Sequence, residues 1–178
     1  METVFPYQLN GQKMLLIGAQ GAMYIYPIGM EGKMMTEQRA QLSHARSCDP
    51  VVAQGNYAYV TLRQSSEGNC ITGSNELQVM DISSIDSPQK INSQMMVGPK
   101  GLAVSDDGKW LWVCDADALQ QLNLENPEAP LITHSYSDIL CNDVISYQGY
   151  YFITGSQLLQ LYQLEDNRLV LQADLLQQ

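Results

Sequence analysis

Apolar and polar residues alternate along this chain in short runs, and the runs recur. An amphipathic run, ELQVMDI at Glu76–Ile82, returns as ALQQLNL at Ala118–Leu124 and as LLQLYQL at Leu158–Leu164, with AMYIYPI at Ala22–Ile28 as an earlier copy. From Ile82 to Leu124 is 42 residues, and from Leu124 to Leu164 is 40. Period-two alternation over so few residues predicts strands rather than helices. A period near 40 built only of strands predicts β-propeller blades.

Turn residues in register divide the chain into four units, approximately 1–46, 47–97, 98–138 and 139–178, of one propeller domain or propeller segment. Each unit reads as about four antiparallel strands, so the expected fold class is all-β. In the second unit these are Pro50–Gln54, Tyr57–Leu62, Glu76–Ile82 and Lys90–Val97, with a tight turn at Gly55-Asn56. The third unit gives Gly101–Ser105, Lys109–Cys114, Leu119–Leu124 and Leu131–Ser135, with a turn at Asp106-Asp107-Gly108. The fourth gives Asp143–Tyr147, Gly149–Gly155, Leu158–Leu164 and Arg168–Leu175. The first gives Val4–Leu9, Lys13–Gly18, Met23–Ile28 and Lys33–Leu42, with a turn at Asn10-Gly11. Gln41-Leu42-Ser43-His44 carries a faint helical pattern that the repeat outweighs. Asp81 and Asn123 fall where third strands end, and read as turn-capping side chains rather than as a site.

Composition sharpens this picture by exclusion. With 9 Lys+Arg against 19 Asp+Glu, the net charge is −10, which repels phosphate backbones and anionic lipid surfaces. No window approaches the 18 or more uninterrupted apolar residues of a membrane-spanning helix. Gly-x-Ser-x-Gly and the phosphate-loop pattern are both lacking. Gly18-Ala19-Gln20-Gly21 and Gly29-Met30-Glu31-Gly32 follow strands with no helix behind them, and read as hairpin turns. Trp110, Trp112, Tyr150 and Tyr151 belong to second strands, where aromatic side chains pack between blades. One irregularity stands out: Arg63–Asn75, a polar Gly/Ser-rich stretch between the second and third strands of the second unit. Loops of that length are more often functional than idle.

The phrasing Cys48-Asp49-Pro50-Val51-Val52, then Gly55 through Arg63 (GNYAYVTLR), then Glu76 through Ser83 (ELQVMDIS) resembles the LVIVD-repeat family of bacterial β-propellers. The first unit, Glu2–Tyr7 through Gly21–Tyr26, is similar to a mid-chain blade of the longer members. The resemblance covers nearly the whole chain and implies a protein that is exported in its full-length form, at the cell surface or in the periplasm, often lipid-anchored. It implies no agreed biochemical activity. Longer members carry further blades and an export signal upstream, so this chain is expected to be the C-terminal four blades of a larger propeller. No signal stands in METVFPYQLN itself.

In a propeller blade, the start of the first strand and the loop joining the second and third lie on one face. That places Cys48, Cys70, Cys114 and Cys141 together, although their spacing contains no Cys-x-x-Cys pair and so gives no structural zinc motif. The alternatives are four reduced thiols or the bridges Cys48–Cys70 and Cys114–Cys141. The resemblance to an exported family tips the balance toward bridges.

The same face gathers the candidate binding residues Asp49, Arg63, Glu67, Lys100, Asp115, Asp117 and Asp143, with Asp138 nearby. Lys100 falls before a first strand, where Asp49 and Asn142/Asp143 fall in neighbouring units. Carboxylates there could hold Ca²⁺, but the chain lacks an Asp-x-Asp-x-Asp-Gly loop, so solvated turn aspartates are the leading reading and no metal ligand or other cofactor is assigned. The expected function is a non-enzymatic binding or interaction scaffold for a protein or small-molecule ligand. The alternative is a propeller hydrolase or lactonase using channel-mouth carboxylates and a divalent metal. Nucleic acid and a membrane span are excluded as partners, and the remaining blades of a longer chain or a homo-oligomer are expected.

Overall fold

A computed structural model describes residues 3–19, 21–29, 37–43, 50–64, 74–116, 118–156 and 158–174. The fold is all-β, with sixteen strands in four antiparallel sheets among the described residues. Each sheet is a simple meander in chain order, as a propeller blade requires. Blade 1 comprises β1 (Thr3–Leu9), β2 (Gln12–Ala19), β3 (Ala22–Pro27) and β4 (Ala40–Ser43). Blade 2 comprises β5 (Val51–Gln54), β6 (Tyr57–Leu62), β7 (Glu76–Asp81) and β8 (Gln89–Met95). Blade 3 comprises β9 (Leu102–Val104), β10 (Trp110–Cys114), β11 (Leu119–Asn123) and β12 (Leu131–Tyr136). Blade 4 comprises β13 (Asp143–Tyr147), β14 (Tyr150–Gly155), β15 (Leu158–Glu165) and β16 (Arg168–Asp174). The blades fall into two compact units, Met1–Gly98 and Pro99–Gln178.

Local chemistry explains where the strands stop. Asn10-Gly11 turns with φ of 51° and 80°, and Gln148-Gly149 with 51° and 79°. Positive φ at both central residues matches the twist of the flanking strands and closes Leu9 onto Gln12 and Tyr147 onto Tyr150. Asp81 and Asn123 act as turn caps, as their positions predict: Oδ1 of Asp81 accepts from the Ser83 amide at 2.8 Å, and Oδ1 of Asn123 from the Glu125 amide at 2.5 Å. Blade 1 differs from expectation in its fourth strand. Ala40–Ser43 pair with β3, and the Arg39 amide adds a bond to the Ile25 carbonyl at 2.8 Å. Glu37 and Gln38 are not strand, and residues 33–36 of the expected strand lie outside the described residues. The side chains of Gln38 and Arg39 take other partners, Gln38 bonding Gln41 and Arg39 pairing with Asp86.

Within unit 1, one face of blade 1 packs on one face of blade 2. Leu9, Met14, Leu16, Met23 and Ile25 meet Val51, Ala53, Ala58, Val60, Leu62, Met80 and Ile82, nearly all fully buried. Burial of such a cluster stabilises the sheet pair by roughly 25 cal/mol per Å² of apolar surface removed from water. The Tyr7 hydroxyl donates to the Gly55 carbonyl at 2.6 Å, and the Val51 amide donates to Thr3 Oγ1 at 3.0 Å. Arg39 and Asp86 form a two-point ion pair at the surface, one bond of which is 2.8 Å.

Within unit 2, blade 3 meets blade 4 through Ala103, Trp112, Cys114 and Leu119 against Val144, Tyr151, Ile153 and Tyr162. Trp112 is fully buried, with its ring centroid 4.9 Å from Tyr151 and 6.2 Å from Tyr136. The expectation of second-strand aromatics as core therefore holds for Trp112 and Tyr151, whereas Tyr150 is exposed. Among the described residues no helix is long and apolar enough to cross a membrane.

Candidate functional site

The segments entering β9 and β13 lie side by side in unit 2, and backbone bonds fix them. The Gly101 amide donates to the Asn142 carbonyl at 3.0 Å, and the Asn142 amide to the Thr154 carbonyl at 2.6 Å. The Cys114 amide donates to Gly101 at 2.9 Å, and the Lys100 amide to Cys114 at 2.7 Å. The approach is so close that a Cβ on residue 101 would stand 2.7 Å from the Asp143 Cα. Glycine is required there because no side chain fits between the two backbones. Cys114 and Cys141 close the same junction with a disulfide, their Cα atoms 5.4 Å apart.

Polar groups stand on this clamped base. Lys100, half-buried, donates through Nζ to Asn142 Oδ1 at 2.7 Å. Asp143 follows directly, its Oδ1 accepting from the Val144 amide at 2.9 Å. Partial desolvation of its carboxyl raises the Asp143 pKa, and the Val144 bond offsets only part of that. Asp115 comes immediately after the bridged Cys114 and is 2% exposed, with Oδ1 accepting from the Ala116 amide at 2.9 Å. Lys100, Asp115 and Asp143 thus stand at one junction with the Cys114–Cys141 bridge. Asn142 is the binding-capable residue that had been placed there only by analogy with its neighbours, and Gly101 was not anticipated at all.

Cys48, Asp49, Glu67, Cys70 and Asp117 lie outside the described residues, as does most of the Arg63–Asn75 stretch. Arg63 belongs to unit 1, half-buried just after β6. Asp138 is exposed in the β12–β13 connection. His134 sits on the outermost strand of blade 3, beside Tyr136 at 4.5 Å and Arg168 Nη1 at 3.1 Å. Among the described residues no three His, Cys, Asp or Glu side chains gather as a metal ion would need. Two open cavities of about 410 Å³ each lie at turn ends, one bordered by Lys13, Pro27 and Arg39, the other by Asn126, Leu131 and Thr133.

No family model matches the sequence, and no curated protein matches it. Solved structures do share the fold. A protein from Lactobacillus plantarum aligns with a TM-score of 0.71 at 12% identity, over 96% of this chain and 54% of that one. The periplasmic gluconolactonase PpgL of Pseudomonas aeruginosa aligns with a TM-score of 0.68 at 11% identity, over 96% of this chain and 56% of its own. AztD of Citrobacter koseri aligns with a TM-score of 0.61 at 18% identity, over 95% and 45%. The chain spans about half the length of these structures. At such identities the likeness defines a class, β-propeller proteins, and nothing narrower.

Proposed function

We propose that the protein is an exported, non-enzymatic binding scaffold, and that the junction of blades 3 and 4 is its docking face. The observation that carries this reading is the Cys114–Cys141 bridge beneath Lys100, Asn142 and Asp143. A disulfide and a backbone ladder hold a cation, an amide and a carboxylate at fixed separations, which lowers the ordering cost of binding a polar ligand. The bridge also supports an oxidising compartment, since such bonds persist outside the cytosol. The LVIVD-like phrasing of the sequence agrees with export and with a role that is not catalytic.

A second reading, hydrolysis of a lactone, draws on the fold shared with the Pseudomonas gluconolactonase. In that reading Asp115 and Asp143 supply carboxylates to a bound divalent cation. One experiment separates the two. Purified protein is assayed on glucono-δ-lactone with and without added Ca²⁺ or Zn²⁺. The scaffold reading expects no rate above the uncatalysed one, whereas a metal-dependent rate abolished by Asp143→Asn would establish the hydrolase. Export is tested separately by alkylating freshly isolated protein without reductant. Four labelled cysteines in the intact mass would contradict it.

A further inference from the structure

The repeat places a glutamine at the same position of three blades: Gln78 on β7, Gln120 on β11 and Gln160 on β15. Each is paired across the ladder with a polar residue of the fourth strand, Ser93, Ser135 or Asp174. In blade 3 the Ser135 hydroxyl donates to Gln120 Oε1. In blade 4 the Tyr162 hydroxyl donates to Gln160 Oε1 at 2.7 Å, and Gln160 Nε2 donates to Asp174 Oδ2 at 3.1 Å. The amide oxygen of both glutamines is therefore satisfied inside its own blade.

Blade 2 departs from this pattern because Glu76 stands where blades 3 and 4 have Ala118 and Leu158. Its carboxylate takes both donors: Gln78 Nε2 reaches Oε1 at 2.6 Å, and the Ser93 hydroxyl reaches Oε2. The Ser74 hydroxyl adds a third bond, and an ionised carboxylate accepts about four, so capacity remains. Gln78 is 3% exposed, and its Oε1 is buried without a hydrogen-bond partner. Turning the amide over would set that oxygen against the carboxylate, so Glu76 fixes the orphan in place. Buried acceptors are rarely left without a donor.

The cluster opens toward solvent on one side. It runs from buried Gln78 through half-buried Glu76 to exposed Ser93, and Met95, paired with Glu76, is 72% exposed. Its neighbours on β6 are aliphatic, Val60 beside Gln78 and Leu62 beside Glu76. Among the described residues no further His, Cys, Asp or Glu joins Glu76 to make a metal site. Lys90 is paired with Met80 beyond the register slip and donates no bond to Glu76. The cluster thus lacks a donor, and a cationic one matches its charge. We propose that Glu76, Gln78 and Ser93 form a binding site for a primary alkylammonium group, as carried by a lysine side chain or a small aliphatic amine. An ammonium has three N–H donors. Gln78 Oε1, a Glu76 oxygen and Ser93 Oγ offer it three neighbouring acceptors, and Met95 offers its aliphatic stem a flexible apolar contact. The site uses residues of unit 1 alone and stands independently of the function proposed above.

The test is an NMR titration of the isotope-labelled 178-residue chain with n-butylammonium chloride at constant ionic strength, from about 0.1 to 20 mM, which brackets a Kd on the order of 1 mM. Saturable shifts are expected at the Gln78 side-chain amide and at the backbone amides of Glu76 and Ser93. n-Butanol, the same stem without the charge, should produce none. Glu76→Ala gives blade 2 the residue of blade 3 and frees Ser93 to bond Gln78, so it should fold and bind at least about 10-fold more weakly. Gln78→Leu removes the orphan oxygen and should weaken binding at least about 5-fold. A lysine peptide with both termini blocked, titrated alongside, distinguishes the sources. Tighter binding than n-butylammonium supports the site with a protein partner, and weaker binding supports it with a small amine. No saturation by about 20 mM would leave water as the missing donor and overturn the proposal. Equal shifts with n-butanol, or shifts that survive both variants, would also overturn it.

Discussion

Units 1 and 2 join two blades with the same architecture by different means. Unit 1 relies on area: its shared core is aliphatic and methionine-rich, with Met14, Leu16, Met23, Ile25, Leu62 and Met80 at 1% exposure or less. Unit 2 adds specific contacts, among them the tilted ring contact of Trp112 with Tyr151, the Cys114–Cys141 bridge and the bond from the Gly149 amide to Asp106 at 2.7 Å. Dispersion and burial tolerate small rearrangements, whereas a disulfide and a glycine-sized gap do not. The blade frame thus fixes where two sheets meet and leaves the fastening free to vary. The stiffer fastening coincides with the candidate binding face.

The comparison can be broken hardest at Gly101. Gly101→Val would drive a branched side chain into the Asp143 backbone, and a loss of at least about 3 kcal/mol is expected. Both tryptophans, Trp110 and Trp112, belong to unit 2. Urea unfolding followed by tryptophan fluorescence therefore reads that unit alone, and an unchanged midpoint would refute the close approach. Leu16→Ala is the matching lesion in unit 1, expected to cost about 2–5 kcal/mol through its cavity and to be seen in the circular-dichroism transition.

Cutting the disulfide comes next. Cys114 and Cys141 are 27 residues apart, and closing such a loop is worth about 3–4 kcal/mol in the chain-entropy model. Dithiothreitol, or Cys114→Ser with Cys141→Ser, should lower the fluorescence midpoint accordingly. No comparable change is expected in the packing of Met14 against Val60.

The strands were legible because two signals coincided. Tyr57–Leu62 and Asp143–Tyr147 match their expected bounds end to end, each with alternating side chains and a tight turn beside it. Of the expected strand Lys33–Leu42, Ala40–Leu42 are strand, Glu37-Gln38-Arg39 are not although they continue the polar pattern, and residues 33–36 lie outside the described residues. Asp166-Asn167, turning at φ of 46° and 62° without a glycine, falls between the expected strands Leu158–Leu164 and Arg168–Leu175, as it does between the observed β15 and β16. Lys100, Asp115 and Asp143 could be grouped from the blade frame alone. The approach of Gly101 to Asp143 could not, because it depends on how two sheets settle against each other. For the same reason the Cys114–Cys141 pair was one alternative among others until the sheets were in place.

Acid titration gives a smaller effect that separates the units again. Burial alone would raise the Glu76 carboxyl in unit 1, but the Ser93 and Ser74 hydroxyls, the Gln78 amide and Lys90 together hold it below its ordinary value. A depressed carboxyl contributes stability at neutral pH that is lost as pH falls through its folded value. Glu76→Gln should flatten that part of the acid limb. Asp143 in unit 2 has the opposite sign. Its raised value makes the protonated form the favoured one, so its contribution is present in acid and lost as pH rises. Asp143→Asn should stabilise slightly at neutral pH and change nothing in strong acid, as unfolding series at stepped pH would show.

The smallest effect is expected at the Arg39–Asp86 pair. Both partners are substantially exposed, so Arg39→Ala should be measurable only at low ionic strength and vanish in about 1 M salt.

The ladders between third and fourth strands hold one further consequence. In blades 2, 3 and 4 the register slips once, between Val79 and Met80, Gln121 and Leu122, and Leu161 and Tyr162. The outermost strand of these three blades is thus kinked, and its free amides and carbonyls do not form a long straight template. Fibril growth by strand addition needs such a template. These slips therefore turn blades 2, 3 and 4 away from amyloid growth along their outer edges.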